Sequence, residues 1–181
     1  WNDEKLGSVR VVPARGGKAR TVSPQPGHYA EPAWSPDGEV LVVRRGGDGY
    51  LRSNRWSRDP GLYVLRVDGS KAPKGEGPVR GIVRDGMVRI SADGSHPQFG
   101  AASDRVYFVS TEFGPGGPGR SNPKSKRVLK SVDLRGKDER THLGSEWASD
   151  FAISPDERWV AFSERFHVYV RPFARSAKAV D

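Results

Sequence analysis

Short apolar runs, separated by turn-forming residues, recur along the whole chain. Their sequences are VRVVP (9–13), VLVVR (40–44), LYVLRV (62–67), VYFVS (106–110), RVLKSVDL (127–134), WVAFS (159–163) and HVYVRPF (167–173). Runs of this length that are rich in Val, Tyr, Phe or Leu are typical of β-strands. The PDG, VDGS, ADGS and PDE sequences between them supply turn residues. Since no run keeps a helical apolar period for long, the pattern predicts an all-β fold.

The order of strands and turns repeats along the chain. SPDGEVLVV at 35–43 returns as SPDERWVAF at 154–162, and GAASDRVYFV at 100–109 is a divergent copy between them. A strand ending in a large apolar residue precedes each copy, and these residues are Trp34, Phe99 and Ile153. We expect Trp34 and Phe99 to wedge between neighbouring sheets. A repeat of several antiparallel strands per unit is the signature of a β-propeller.

The repeat divides the chain into four units. Residues 1–25 are expected to form the end of a blade, 26–86 and 87–145 two blades, and 146–181 an incomplete terminal blade. The N-terminal VRVVPARGGKA parallels VYVRPFARSAKA near the other end. The prediction is a partial β-propeller of about three to four blades, each a four-stranded antiparallel sheet.

The repeated SPDG phrase has the chemistry of a turn. Pro36 fixes its own φ, the carboxylate of Asp37 can bond to nearby backbone, and Gly38 accepts a positive φ. Pro155 and Asp156 repeat the first two features in the last unit. These residues are therefore interpreted as structural, and the divergent GAASD turn is expected to differ locally.

Composition narrows the classes of function. The chain has 181 residues and a net charge of +8, but its basic residues are scattered, which favours a solvated surface over a nucleic-acid site. The absence of cysteine excludes disulfides, thiolate metal sites and a cysteine nucleophile. No apolar run is long enough to span a bilayer, and no signal-peptide pattern is present. The first residue is Trp1, so we expect a processed or shortened chain.

No catalytic motif stands out in the sequence. The histidines His28, His96, His142 and His167 are isolated from one another, without an H-x-H or H-E-x-x-H pattern. A G-x-S-x-G nucleophile elbow is missing, and the GPGGPG stretch lacks the G-K-[ST] ending of a phosphate loop. We therefore expect no catalytic residue, metal ligand or cofactor in this chain.

Two inserts between strands are candidates for recognition. GGDGYLRSNRWSRDPG (46–61) combines aromatic and arginine side chains, the types that dominate binding hot spots. The candidate binding residues of this insert are Tyr50, Arg52, Arg55, Trp56 and Arg58. The second insert, residues 110–127, is basic and rich in Gly and Pro. Each insert is either a surface hairpin loop or part of a surface for partner docking or substrate gating.

WSPDGEVLVV, ISPDERWVAF and LYVLRVDGS resemble the WD40-like (PD40) repeat of TolB-like β-propellers. Residues 138–173 are also similar to the TolB-like propeller that precedes the catalytic domain of some bacterial amidohydrolases. TolB-like propellers usually have six or seven blades, so the resemblance implies that this chain is a fragment. A divalent metal would then belong to a catalytic domain outside this chain, and an extracytoplasmic location is implied.

Three functions remain open at this stage. The first is a non-catalytic propeller segment of a larger bacterial hydrolase that acts in protein interaction or substrate access. The second is a free-standing TolB-like protein-binding module of the cell envelope. The third is part of a metal-dependent amidohydrolase or propeller-containing peptidase whose active site lies outside this chain.

The expected partners are proteins: the parent's catalytic domain, its remaining blades or another subunit. We also expect self-association through apolar surface around Trp1, Phe151 and Phe166.

Overall fold

The computed structural model describes residues 6–46, 60–68, 87–114 and 125–175. These residues form antiparallel β-strands and turns without any helix, which confirms the predicted all-β class. The strands are β1 Arg10–Val11, β2 Arg20–Thr21, β3 Tyr29–Trp34, β4 Val40–Arg45, β5 Gly61–Arg66, β6 Val88–Ser91, β7 Ser95–Phe99, β8 Arg105–Phe113, β9 Ser125–Asp133, β10 Arg140–Ser145, β11 Ala148–Ile153, β12 Trp159–Glu164 and β13 His167–Pro172.

The strands group into four separate sheets in sequence order. β1 and β2 form an N-terminal hairpin, β3–β6 the first four-stranded sheet, β7–β10 the second, and β11–β13 a three-stranded third sheet. Trp34, Phe99 and Ile153 end the first strand of their sheets, β3, β7 and β11, as the repeat predicts. β6 pairs with β5, so the first sheet extends beyond residue 86, where the sequence analysis ended that unit.

The first sheet buries both of its faces. Val40 and Val42 pack with Phe108 of the second sheet, whereas Leu41 and Val43 point the other way, into the cluster that Val9 and Tyr29 join. Alternate residues of a strand face opposite sides of a sheet, so a strand buried on both faces has to be apolar at every position. This requirement explains the continuous VLVV run.

The second and third sheets pack face to face through a separate core. Tyr107 and Leu129 of the second sheet meet Phe151, Val160 and Phe162 of the third. Burial of each such apolar side chain contributes about 1.5–3 kcal/mol. The sheets therefore stand in a row, each packed on the next, as the blades of a propeller do, and they do not close into a ring.

Two expectations about aromatic residues were wrong. Trp34 does not wedge between sheets, because it is 49% exposed. It shares its face with Leu41, on the side of the two-stranded hairpin, which is too narrow to cover a four-stranded sheet.

Phe151 does not form open apolar surface: it is only 3% exposed because its side chain faces the second sheet. Trp1 lies outside the described residues, and Phe166 is fully exposed. Phe99 does pack against the core between the first and second sheets, as expected.

The SPDG and SPDE turns have the same geometry. In each, the serine hydroxyl donates to the aspartate carboxylate at 2.5 Å and accepts the amide of the first residue of the next strand at 2.9 Å. Gly38 has φ 74° and Glu157, at the equivalent position, has φ 54°. In the GAASD copy the turn moves to Ser103 and Asp104, so the predicted local difference is present.

Candidate functional site

The recognition inserts connect the second and third strands of their sheets. Residues 46–61 join β4 to β5, but Tyr50, Arg52, Arg55, Trp56 and Arg58 lie outside the described residues. In the second insert, β8 continues to Phe113 and β9 begins at Ser125, so part of the predicted loop is an extended strand pair. The binding role of both inserts stays a prediction.

The four histidines lie on different elements of the fold. His28 precedes β3, His96 lies in β7, His142 in β10 and His167 in β13. Among the described residues, no three His, Asp or Glu side chains lie close enough together to hold a metal ion. Within the same residues, no helix has the length and apolar character needed to cross a bilayer.

A buried polar network in the second sheet was not predicted from the sequence. Arg105 donates from Nη1 to Ser131 Oγ at 2.9 Å and to the Asp138 carbonyl oxygen at 2.9 Å. Ser131 Oγ lies 2.7 Å from His142 Nε2. Arg105, Ser131 and His142 are 4%, 0% and 7% exposed. The charge of Arg105 is balanced by its ion pair with the Asp138 carboxylate, which lies partly in solvent.

The hydrogen bonds around Ser131 favour one tautomer of His142. Arginine only donates, so Ser131 accepts from Arg105, and its own proton is available for His142 Nε2. Burial, together with the charges of Arg105 and Arg140, lowers the pKa of His142 to about 4, so the ring is neutral at pH 7. A neutral ring that accepts at Nε2 carries its proton on Nδ1.

The Ala174 backbone is the partner of the buried His142 ring on its Nδ1 side. This contact raises the pKa of His142, but burial lowers it by more, and the angle of the contact is poor for a hydrogen bond.

Ser131 and His142 do not form a nucleophile and base, despite their short contact. A nucleophilic serine has to reach its substrate, and Ser131 is completely buried. Its hydroxyl oxygen already accepts a hydrogen bond from a positively charged guanidinium, which weakens it as a nucleophile. The pair is therefore structural within the second sheet.

A cavity of about 150 Å³ lies beside His142, in the seam between the second and third sheets. Its lining consists of His142, Leu143, Val160, Arg171, Pro172, Phe173 and Ala174. The His142 ring packs between Tyr107 and Phe173, with ring centroids at 5.5 Å and 5.0 Å. The lining residues are thus mostly apolar, and the exceptions are His142 and the exposed residue Arg171.

The outer face of the third sheet is open and apolar. Register places Val168 beside Ser163 and Val170 beside Ala161, on the face opposite to Val160 and Phe162. Trp159, Val168 and Val170 are 45%, 75% and 62% exposed. A shallow depression of about 170 Å³ on the same face is lined by Ala152, Ala161 and Val168, among others.

The repeat shows what normally covers this kind of face. Trp159 and Ala161 occupy the same places after SPDE as Val40 and Val42 occupy after SPDG. Val40 and Val42 are buried against the second sheet. The equivalent face of the third sheet has no neighbour among the described residues.

Comparison with known proteins supports the fold assignment. No family model matches the sequence, and no curated protein matches it. Among solved structures, the crystal structure of the tricorn protease resembles this chain with a TM-score of 0.55 and 14% sequence identity. The match covers 92% of this chain and 18% of the tricorn protease chain, a protein that contains a β-propeller. At this identity the likeness establishes a propeller-like fold.

Proposed function

We propose that this chain is a non-catalytic β-propeller segment of a larger hydrolase, acting in protein interaction or substrate access. The observation that carries the proposal is the open apolar face formed by Trp159, Val168 and Val170. Large exposed apolar patches on soluble proteins commonly mark interaction surfaces.

The repeat indicates the kind of neighbour that this face requires. The equivalent face of the first sheet is covered by Phe99, Val106 and Phe108, which belong to the next sheet of the same repeat. A further sheet of the parent protein would cover Trp159 and Val170 in the same manner. This arrangement would tie the segment to the remaining blades and through them to a catalytic domain.

The identity of the hydrolase rests on two independent likenesses. Residues 138–173 resemble the TolB-like propeller that precedes the catalytic domain of some bacterial amidohydrolases. The tricorn protease, which this chain resembles in fold, is a protease by its name. An amidohydrolase-like parent is our first choice, and a propeller-containing peptidase is the alternative. A free-standing TolB-like module of the cell envelope is the competing function, since such a module would also present an apolar docking face.

The size and activity of the native protein test this proposal. An antibody raised against the chain should detect a native polypeptide far larger than the 19.9 kDa of this chain. The immunoprecipitate should hydrolyse amide substrates, and a chelator should stop the reaction if the parent is an amidohydrolase. The purified chain is the matched control and should show no turnover. A native polypeptide of the same mass as the chain, or hydrolysis by the chain alone, would contradict the proposal.

A further inference from the structure

We propose that one edge of the row of sheets binds the surface of a membrane that contains anionic lipid. The binding is peripheral: aromatic side chains enter the headgroup region, and the chain stays on one side of the bilayer. This inference is independent of the hydrolase proposal, because it concerns an edge of the row and does not use the open face of the third sheet.

Strand pairing brings three exposed aromatic residues to this edge. The end of β8, the beginning of β9 and the end of β10 lie side by side, and so do the beginning of β11, the end of β12 and the beginning of β13. The connection from β10 to β11 joins the two groups. Phe113 ends β8, Trp147 lies in that connection, and Phe166 lies in the turn between β12 and β13. They are 51%, 57% and 108% exposed.

The turn that carries Phe166 does not have the residues that its backbone favours. Arg165 and Phe166 have φ angles of 47° and 69°. Two-residue hairpin turns with positive φ at both positions favour Asn and Gly, because a bulky side chain is strained there. Since Phe166 is fully exposed, no packing offsets this strain. The fold alone therefore gives no reason for an aromatic residue at the tip.

A basic side chain accompanies the aromatic ones. The guanidinium carbon of Arg165 lies 4.4 Å from the centroid of the Trp147 ring. Aromatic rings are enriched in the interfacial region of a bilayer, and the long side chain of arginine lets its charge stay at the level of the phosphates. The Trp147–Arg165 pair and the adjacent Phe166 therefore match the chemistry of this region.

Charge favours an anionic surface over a neutral one. The charged residues of the edge are Glu112, which pairs with Lys130, and Lys126, Arg127, Glu146, Glu164 and Arg165. Their charges nearly cancel, but the whole chain carries a net charge of +8. A net positive charge attracts the chain to anionic lipid over roughly one Debye length, and the aromatic side chains then add the apolar contribution.

The shape of the edge favours a bilayer over a protein as the partner. Phe166 projects from a hairpin tip and is not covered by any neighbouring residue. A protein would need a pocket matched to this tip, with a rim that excludes water. The headgroup region of a bilayer accepts a projecting aromatic side chain without a preformed pocket.

Binding of the full chain to lipid vesicles tests the proposal. Cosedimentation should show saturable binding to vesicles of equal parts phosphatidylcholine and phosphatidylglycerol, and binding at least about tenfold weaker to phosphatidylcholine alone. Lipids brominated in their acyl chains should quench part of the tryptophan fluorescence. That quenching should be smaller in Trp147→Phe, which keeps an aromatic ring at the edge and should still bind.

Phe166→Gly separates a role in binding from a role in folding. The variant should bind the mixed vesicles about tenfold more weakly, because it loses an aromatic side chain that the lipid would bury. Its midpoint of urea unfolding should not fall, since glycine adopts the positive φ of the turn without strain.

Two tryptophan variants form a matched pair. Trp147→Ser should weaken vesicle binding about tenfold. Trp34→Ser should leave it unchanged, because Trp34 is similarly exposed, at 49%, but ends β3 at the opposite edge of the row.

Four results would overturn the proposal: no saturable binding to the mixed vesicles, unchanged binding of Phe166→Gly, equal binding of the two serine variants, or equal quenching of the unaltered chain and Trp147→Phe. The first result would leave this edge as a docking surface for a protein.

Discussion

At the residue scale, His142 is the residue for which sequence reasoning was least informative. It lies where the pairing of β9 and β10 shifts register, between Thr141 and Leu143. A β-bulge changes the direction of a side chain, so strand alternation does not predict which way it points. The contacts of His142 with Ser131 and Arg105 depend on the pairing of three strands. They therefore cannot be predicted from the local T-H-L sequence.

The lowered pKa of His142 predicts a defined loss of stability in acid. The unfolded state takes up a proton near the usual pKa of 6.5, whereas the folded state does so only near 4. Stability should therefore be unaffected above about pH 7, fall as the pH drops from about 6.5 to 4, and level off below that. The shift corresponds to at most about 3 kcal/mol. Urea unfolding at a series of pH values measures it.

The control is the same series on His142→Gln, which keeps a polar side chain but does not titrate. Its stability should vary less with pH between 6.5 and 4 than that of the parent chain. The carboxyls of Asp37, Asp138 and Asp156 have lowered pKa values, so their contributions are lost below this window. Parallel pH curves for the two proteins would refute the assignment.

At the scale of elements, the strands that could be predicted are those rich in apolar residues. β4, β5, β8, β9 and β12 are the inner strands of their sheets, and each contains an apolar run. β6 and β10 are outer strands with few apolar residues, so no apolar run in the sequence predicted either of them. Their place in the sheets depends on pairing with β5 and β9.

Two residues that differ from the SPDG pattern face each other between the second and third sheets. Gly100 stands where the other copies have serine, and Glu157 stands where the first copy has glycine. A Cβ atom at position 100 would collide with the side chain of Glu157. Glu157 thus occupies the space that a side chain at position 100 would fill, and from there it accepts a hydrogen bond from the Tyr107 hydroxyl at 3.2 Å.

This fit predicts a strong coupling between the two positions. Gly100→Ser alone should destabilise the fold by about 1–3 kcal/mol, because Glu157 has to leave its contacts with Tyr107 and Arg175. In a Glu157→Gly background the same change should cost much less, since the obstructing side chain is gone. Urea unfolding of both single variants and the double variant measures the coupling, which should be about 1 kcal/mol or more. Additive effects would show that the two turns are independent.

At the scale of the whole molecule, the chain is a row of sheets whose last member is covered on one side. Among the described residues, the inner strands of the first and second sheets are buried on both faces, and the third sheet only on the face that carries Phe151 and Phe162. The sequence predicted this row from its period, but not which aromatic residues would lie inside it. Burial of Trp34 and Phe151 depends on the width and position of the neighbouring sheet, which a local repeat does not specify.

Hydroxyl-radical footprinting of Trp159, Val168 and Val170 in the native protein and in the isolated chain tests the central claim most directly. Trp147, in the connection between β10 and β11 and 57% exposed, serves as the internal reference. If another sheet of the parent covers the third sheet, the labelling of each of the three residues, normalised to that of Trp147, should be several-fold lower in the native protein than in the isolated chain. Equal labelling of this face in both samples would contradict the account.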